Sequence, residues 1–424
     1  MRDERIRTFL VFLFPLRKKM RVIRFITAIS IISVLFSCGL EEVGERPNEG
    51  GGNIWTGPGM NAGSGDSTRT VCYVTALEYP DDYDWRADPE KGSVKCSLVV
   101  YADDLPMMKI PVGDKYEVSS DPDMHRILSG HLYTDYSTDT ETVIKKDGRE
   151  LFRFPGREMV VGMIVDGGDL YTLGQPRSGT GFRFRKNGEV IIERTQGRAF
   201  GRMYLEEGSV CFAFCEQIVS SDKTYERYYH VMGDEVSQVA LREDVKKVWD
   251  IIYAEGKICF IASVTGVDEP VLFKGEAMSA IDMPRSSEMV TCRFVSYDDE
   301  ICIEGIYLSD NQLLSSGIWL DGGLYHQFPA GSMVSSICIC DGGVCCVVNG
   351  VQAISRGMIF RCGETFPISE GYMAMGSDPI RIVDGILNVG LSSINGECPM
   401  IWRDGMMKKM DMNGFISTIS TNKD

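Results

Sequence analysis

Apolar and polar positions alternate along most of this chain in short runs separated by tight polar turns. Examples are DLYTLG from residue 169, KICFIAS from 257 and ILNVGL from 386. Alternation with a period of two, in runs rich in β-branched and aromatic side chains, predicts β-strands. Long apolar stripes with a helical period are scarce, so the pattern predicts an all-β protein.

The same pattern recurs about eight times, at a spacing of roughly 40 residues. Each unit contains a first turn, a strand, a variable loop, a second strand and a second turn such as Asp147-Gly148, Asn187-Gly188 or Asp404-Gly405. Asp-Gly and Asn-Gly between apolar runs predict type I′ hairpins. One unit therefore supplies four short antiparallel strands, A to D, which form one blade of a β-propeller.

The two ends of the chain predict how the ring closes. Segments from residues 71, 95 and 105 match strands B, C and D of a blade that lacks its strand A, and GFISTIS from 414 matches an isolated strand A. We expect the C-terminal strand to complete the first blade, because this pairing removes open sheet edges. Eight blades are therefore predicted; seven is the alternative, if residues 71–112 pack as a cap.

One stretch competes with the all-β interpretation. The segment from Arg242 to Gly256 is polar and then apolar, and it suits a short helix. Trp249 to Tyr253, however, occupies the place of strand A in the other repeats. We therefore predict a polar loop that leads into a strand.

The N-terminal segment predicts export. From Met20, two arginines precede an apolar run that ends in Leu35-Phe36-Ser37-Cys38, the layout of a secretory signal. These four residues resemble the lipobox of bacterial lipoproteins, which implies cleavage before Cys38 and membrane attachment through acyl chains on its sulfur. The alternatives are an ordinary signal peptide and a single transmembrane helix. Residues 1–19 are not needed for a signal, so Met20 is a second candidate start.

After the predicted signal peptide (1–37), residues 38–70 predict a flexible, lipid-anchored linker. Gly, Asn, Pro and Ser dominate this stretch, and such a composition buries too little apolar surface to fold. Its start, Gly39 to Glu42, resembles the signals that export lipoproteins of Bacteroidota. We expect an outer-membrane lipoprotein, with the cell surface favoured over the periplasmic face, and a propeller over 71–424.

The charge of the chain argues against nucleic acid as a partner. The formal net charge is −16. Residues 1–37 hold eight basic and two acidic residues, so the remainder holds 36 basic and 58 acidic residues, a charge of −22. So acidic a surface repels phosphate backbones.

The 14 cysteines raise the question of disulfides and metal sites. Thirteen remain after Cys38, and most lie where sister repeats carry Leu, Tyr or Val. We therefore interpret them as small buried apolar residues. Cys338, Cys340, Cys345 and Cys346 have no histidine near them in sequence, and we expect neither a metal nor a cofactor.

No catalytic residue can be nominated from the sequence. The four histidines lie outside nucleophile-elbow and zinc-ligand motifs. Paired carboxylates such as Asp81-Asp82 fall in turns, where acidic residues are expected for backbone reasons. A glycosidase requires two acids at a suitable separation. Separate blades could supply such a pair, and the sequence alone would not reveal it.

The longest loops predict a ligand-binding face. B–C and D–A loops lie on one side of the ring, and the longest, from Glu78 to Ser93, carries Tyr79, Tyr83, Trp85 and Arg86. Aromatic rings beside charged groups suit a carbohydrate or a peptide. The alternative is that these rings fix the loop to the first blade or plug the channel.

Further candidate ligand contacts come from the D–A segments, which we expect near the mouth of the central channel. They are His125, Arg198, Arg202, Trp249 and Tyr372. Arg198 and Arg202 are unusual in so acidic a protein and suit an anionic ligand. Salt bridges to neighbouring acidic loops are the alternative.

The units that contain DLYTLG and FRFRKNG resemble the repeats of propeller lipoproteins from the surface and periplasm of Bacteroidota. The resemblance covers residue 70 to the C-terminus and implies fold and location but no activity. We expect a monomeric, non-catalytic module that binds a glycan or a protein partner. The alternatives are a glycoside hydrolase or lyase with acids from several blades, and a scaffold subunit of an outer-membrane complex.

Overall fold

The computed structural model describes most of the chain from Thr70 onward. The described residues are 70–81, 83, 96–113, 119, 124–176, 180–219, 224–284, 287–296, 301–309, 313–340, 343–350, 356–376, 378–395 and 397–422. The predicted signal peptide over 1–37, the predicted acylation site Cys38 and the linker up to residue 69 lie outside them.

In the part of the chain that the structure describes, thirty-three strands form eight antiparallel sheets, each of which is one blade of a propeller. Blades one to four contain, from strand A to strand D, β33 (Gly414–Thr421), β1 (Cys72–Glu78), β2 (Ser97–Ala102) and β3 (Leu105–Pro111); β4 (His125–Leu128), β5 (His131–Ser137), β6 (Glu141–Lys146) and β7 (Arg149–Pro155); β8 (Glu158–Asp166), β9 (Asp169–Pro176), β10 (Phe182–Lys186) and β11 (Glu189–Arg194); and β12 (Arg198–Glu206), β13 (Ser209–Val219), β14 (Thr224–Met232) and β15 (Glu235–Gln238).

Blades five to seven follow the same order, and blade eight has a divided inner strand. They contain β16 (Val245–Ala254), β17 (Lys257–Val264), β18 (Val271–Lys274) and β19 (Ala277–Ala280); β20 (Glu288–Ser296), β21 (Cys302–Leu308), β22 (Leu314–Leu320) and β23 (Gly323–Gln327); β24 (Ser332–Cys340), β25 (Gly343–Gly350), β26 (Met358–Arg361) and β27 (Glu364–Pro367); and β28 (Tyr372–Met373) with β29 (Ile380–Val383), both paired with β30 (Ile386–Ser393), then β31 (Met400–Arg403) and β32 (Met406–Lys409).

The predicted all-β propeller with eight blades is confirmed. The segment that competed as a helix forms strand β16, and the described residues contain no α-helix. None of the described segments is a helix with the length and apolar character needed to cross a bilayer. Strands A of neighbouring blades contact one another around the axis, so strand A is innermost and lines the central channel.

The chain ends close the ring as predicted. Strand β33 pairs antiparallel with β1, from Cys72 opposite Thr421 to Glu78 opposite Gly414. Beyond the last pair, the backbone N–H of Val71 donates to Oδ1 of Asn422 at 2.9 Å. Strand β1 is therefore held between two partners, and the first blade has four strands like blades two to seven.

The second turn of each blade explains the recurrent Asp-Gly and Asn-Gly pairs. Asp147 and Asn187 adopt φ of 51° and 50°, and the glycines that follow them are also at positive φ, as type I′ turns require. The side chain adds a second contact, because Oδ1 of Asp147 accepts the N–H of Leu132 at 3.0 Å. The turn thereby closes the hairpin and also fixes the start of strand B.

Apolar side chains fill the spaces between neighbouring blades. Between blades three and four, Phe182 meets Phe212 edge to face at 5.7 Å, and both side chains are fully buried. Because each blade buries its faces against two neighbours, removal of any blade would expose apolar surface on two others.

A second device joins the blades near the axis, where side-chain oxygens accept backbone N–H groups of the inner segment of the next blade. The acceptor and donor residues are Thr142 and Glu158, Tyr204 and Tyr253, Asp250 and Phe294, Ser316 and Val334, Asn349 and Ala374, and Ser392 and Ile416. These bonds satisfy N–H groups that irregular inner strands would otherwise leave unpaired.

The cysteines lie mostly in the interior, where they were predicted to act as small apolar residues. Among the twelve cysteines whose burial is described, nine are buried, two are half-buried and Cys362 is exposed. Burial raises the pKa of Cys72 and of Cys259 to about 11, which keeps both thiols protonated.

Closure of the ring generates the first test. Ile416 of β33 is fully buried in the cluster that joins blades one and eight. We expect Ile416→Ala to lower the free energy of unfolding by about 2–5 kcal/mol, because it leaves a cavity at the closure. Chemical denaturation monitored by tryptophan fluorescence measures the change.

The matched control is Ile386→Ala in blade eight, where the side chain is 45% exposed. This variant should change stability by no more than about 0.5 kcal/mol. Equal effects of the two substitutions would show that the β33 closure does not govern stability.

Candidate functional site

The inner strands place charged side chains at equivalent positions around the channel. Arg202 precedes the Glu207-Gly208 turn by five residues, and Asp250 precedes Glu255-Gly256 by the same number. Arg293 and Ser336 occupy this position in blades six and seven. With Glu304, which pairs opposite Arg293, and Asp378 of blade eight, they form what we term the channel ring.

Arg202 is the exposed cation of the channel ring. Its side chain remains accessible to water although protein surrounds it, as expected for a group that lines a central channel. This enclosure, and to a smaller extent the neighbouring Arg293, lowers its pKa, while Asp378, Glu304 and Asp250 act in the opposite direction. Arg202 makes no ion pair or hydrogen bond to any residue that the structure describes. Its guanidinium N–H groups are therefore available to a ligand.

Asp250 is a buried acid of the ring. Oδ1 accepts the N–H of Ile251 and Oδ2 accepts the N–H of Phe294 in the next blade, both at 2.9 Å. Burial raises the pKa of Asp250 to about 6, although the two hydrogen bonds and the nearby Arg202 and Arg293 favour the carboxylate. Asp250 thus performs the blade-joining contact that Ser, Thr, Tyr and Asn perform elsewhere, but it adds a titratable charge.

Arg293 and Glu304 neutralise each other within blade six. The Nε and Nη2 atoms of Arg293 both donate to Oε2 of Glu304, at 2.9 and 2.8 Å. The Glu304 side chain is buried, whereas Arg293 is partly exposed to the channel. This ion pair fixes the position of Arg293 and neutralises the charge of Glu304.

Asp378 ties three blades together. Its Oδ1 accepts the hydroxyl of Ser336 at 2.9 Å, and its backbone carbonyl accepts the N–H of Ile419 in β33. Burial raises its pKa, against the opposing effect of Arg381, Arg202 and Arg293. The break between β28 and β29 is what brings this aspartate to the axis.

The opposite side of the channel is uncharged at the same position. Blades two and three carry Met124 and Gly162 there, and a Cβ on Gly162 would lie 2.4 Å from the sulfur of Met203. Blades two and three therefore add no charge to the channel ring, whose members lie in blades four to eight.

The aromatic loop of the first blade takes a structural role where it is described. Tyr79 is 9% exposed, stacks on Tyr83 at 5.8 Å and contacts Phe415 of β33. This is the alternative in which the rings fix the loop to the first blade. Trp85 and Arg86 lie outside the described residues.

Three further predicted ligand contacts face the interior. His125 is completely buried, and a ring nitrogen lies 2.6 Å from the carbonyl of Ser119; burial lowers the pKa of this histidine to about 4. The hydroxyl of Tyr372 donates to Glu397 at 2.8 Å. Trp249 packs against the core of blades four to six beneath Lys247. His125 and Tyr372 are thus buried, whereas Trp249 is half-buried.

The two predicted arginines differ in position. They were expected in D–A loops, but both lie in β12, with Arg198 at its outer end and Arg202 halfway along. Arg198 is exposed and lies 3.9 Å from Glu226, in line with the salt-bridge alternative. Only Arg202 of this pair reaches the channel ring.

Another buried acid nearby is fully engaged. Glu158 receives Arg185 through both carboxylate oxygens, at 2.7 and 2.8 Å, and also Arg183. These arginines hold its pKa below the usual value despite burial. The cluster fixes the start of β8 and leaves no acid for chemistry.

Sequence reasoning missed Asp250, Arg293 and Glu304. The signal that could have found Asp250 was its fixed spacing from the A–B turn, which is the same as that of Arg202. The neighbouring Trp249 drew attention away from this position. Within the described part of the chain, no three His, Cys, Asp or Glu side chains are grouped closely enough to hold a metal ion.

The raised pKa of Asp250 generates a pH test. The folded protein holds the Asp250 proton up to about pH 6, whereas the unfolded chain releases it near its ordinary value of 3.8. The folded state therefore binds more protons in this window, and the Asp250 contribution to stability falls as pH rises. From pH 4 to 7, the stability of the wild type relative to Asp250→Asn should fall by on the order of 2 kcal/mol.

The loss of one acceptor in Asp250→Asn adds an offset that does not depend on pH. Asp268→Asn, in an exposed loop, serves as the matched control and should follow the wild-type profile. A constant difference between wild type and Asp250→Asn across this range would contradict the raised pKa.

Comparison with known proteins supports the fold. No protein-family model and no curated protein sequence matches this chain. Among solved structures, the chain is similar to the dihydro-heme d1 dehydrogenase NirN in complex with DHE, at 8% identity and a TM-score of 0.51, over 82% of this chain and 75% of that one. The β-propeller domain of the Trilobed protease from Pyrococcus furiosus also matches, at 11% identity and a TM-score of 0.39, over 81% and 93%. At such identities, the likeness to NirN extends to the propeller fold alone.

Proposed function

We propose that this chain is an exported, lipid-anchored binding module that recognises a glycan in its central channel without catalysing a reaction. The single observation that carries the proposal is Arg202, exposed inside the channel and flanked by acids whose carboxylates already serve the fold. The ligand enters from the D–A side of the ring, where strand β12 begins.

The mixed charge of the channel ring decides the chemistry of the ligand. Two arginines and three acids surround the site, so a free anion gains from Arg202 but is repelled by Asp250 and Asp378. A sugar with neighbouring hydroxyls avoids this cost, because it accepts from the guanidinium and donates to remaining carboxylate lone pairs. A neutral, hydroxyl-rich glycan is therefore favoured, and a protein partner that inserts a polar side chain is the alternative.

Catalysis is the second candidate function, and Asp250 is the observation that favours it. A carboxyl with a pKa of about 6 suits a general acid. Each Asp250 oxygen, however, accepts a backbone N–H, and Glu304 is paired with Arg293. A hydrolase needs one carboxyl free to meet the substrate and a second at a suitable distance. The structural use of these carboxylates therefore supports binding over hydrolysis.

The anchor and location follow from the sequence. Acyl chains on Cys38 would attach the protein to the outer membrane, and the linker up to residue 70 would hold the propeller away from the bilayer. Exposure at the cell surface would bring the channel into contact with external glycans. A surface scaffold is the remaining possibility for a propeller held in this way.

Binding is tested with Arg202→Gln. A panel of neutral and uronate-containing oligosaccharides is screened with the wild type, and the best ligand is then titrated by calorimetry. Loss of a charged hydrogen-bond donor should weaken binding by about 10–100-fold. Arg242→Gln is the matched control, because Arg242 is exposed, is paired with Asp244 and lies outside the channel.

Equal affinity of wild type and Arg202→Gln would place the glycan site elsewhere. Failure of every saccharide to bind would remove the glycan proposal. Release of a shortened saccharide by the wild type, abolished in Asp250→Asn, would favour the enzyme instead.

Anchoring is tested with Cys38→Ser in the full-length chain. The wild type should fractionate with membranes and label with a radioactive fatty acid, whereas the variant should lose the label. Protease added to intact cells should remove the wild-type propeller if it lies outside. A labelled wild type that resists protease until the cells are opened would place it on the periplasmic face.

A further inference from the structure

Blade seven brings two thiols together on its tight-turn side. Cys345 lies in β25, and Cys362 is the first residue of the turn between β26 and β27. Their sulfur atoms are 3.9 Å apart. The two residues are therefore in contact across an antiparallel hairpin.

The backbone around the two thiols is fixed by the hairpin. Cys345 pairs directly opposite Arg361, and the N–H of Cys362 donates to the carbonyl of Val344 at 2.9 Å. Bond formation requires the sulfurs to move from 3.9 Å to about 2.05 Å apart, through rotation of both side chains.

The environments of the two thiols differ in a way that suits exchange. Cys362 is exposed, whereas Cys345 is buried behind it. Arg361, which pairs with Asp404, also lies close enough to both sulfurs for electrostatic interaction. The thiolate is the nucleophile in thiol–disulfide exchange, and the exposed Cys362 is the thiol of this pair that a carrier can reach.

Two neighbouring cysteines whose side chains the structure describes lack this combination. Cys346 points to the other face of β25 and is completely buried, which raises its pKa well above the ordinary value. Cys338 pairs opposite Cys345 in β24, but it is only half-buried and has no place in a turn. Reaction from solvent is therefore directed to Cys362.

We propose that Cys345 and Cys362 form a dithiol that closes to a disulfide by exchange with a disulfide-bonded thiol carrier. The Cys362 thiolate attacks one sulfur of the carrier and expels the other as a thiolate, which leaves a mixed disulfide. Cys345 then loses its proton and attacks the Cys362 sulfur, and the second carrier thiolate leaves. The protein loses two protons and two electrons, and the carrier disulfide becomes two thiols.

The bond would join β25 to the turn that follows β26. It would enclose the B–C connection of blade seven and restrict that segment in the unfolded chain. The site lies on the tight-turn side, away from the channel mouth, so the inference does not depend on the proposed glycan binding.

The test uses the purified wild-type chain and oxidised glutathione as the carrier. After exposure, the protein is digested without reduction and analysed by mass spectrometry. We expect a linked peptide pair that contains Cys345 and Cys362, with a mass about 2 Da below the sum of its parts. The unfolding temperature should rise on oxidation and return on reduction.

Two variants distinguish a specific disulfide between Cys345 and Cys362 from general oxidation of thiols. Cys362→Ser should abolish the linked pair and the shift in unfolding temperature. Cys398→Ser removes another accessible thiol outside blade seven and should leave both unchanged. A glutathione adduct that persists on Cys362, or a link between Cys338 and Cys345, would overturn the proposal.

Discussion

Everything in this molecule depends on the antiparallel pairing of β33 with β1. Eight sheets can bury their faces against one another only if the last sheet meets the first, because an open ring would expose two apolar faces and two strand edges. The pairing covers β1 from Cys72 to Glu78 and places Ile416 in the core of the seam. The channel ring exists only because this seam is closed, since Asp378 hydrogen-bonds to β33.

Different blades use different side chains to satisfy backbone N–H groups of the inner strands. Inner strands contain bulges that disturb their hydrogen bonding, and each disturbed N–H needs an acceptor. Ser and Thr supply a neutral oxygen for this purpose, whereas blade five supplies Asp250. The charge of the channel is thus partly a consequence of how the blades are joined, and the proposed ligand site adds Arg202 to it.

Much of the fold was accessible from the sequence because its signals are local. Turn residues such as Asp147 and Asn187 mark each hairpin by their own backbone preference, and the repeat spacing then gives the blade. The split of the inner strand in blade eight was not accessible, because the bridge between Asp378 and Thr418 joins residues of two blades.

The candidate site was less accessible for the same reason. Arg202 was found because arginine is conspicuous in an acidic chain. For Tyr79 the sequence left ligand binding and attachment of the loop both open, because its partner Phe415 lies at the opposite end of the sequence. Asp250 resembles any turn-proximal acid until the register of three neighbouring strands is known.

The position of β1 has a mechanical consequence. Tension transmitted along the chain that precedes Thr70 would enter the ring at Cys72, in a strand flanked on both sides by β2 and β33. A pull along the axis of β1 would load both hydrogen-bonded ladders in shear, so that many bonds must fail together instead of one after another. The seam that closes the propeller is thereby also suited to carry a load applied through the chain that precedes it.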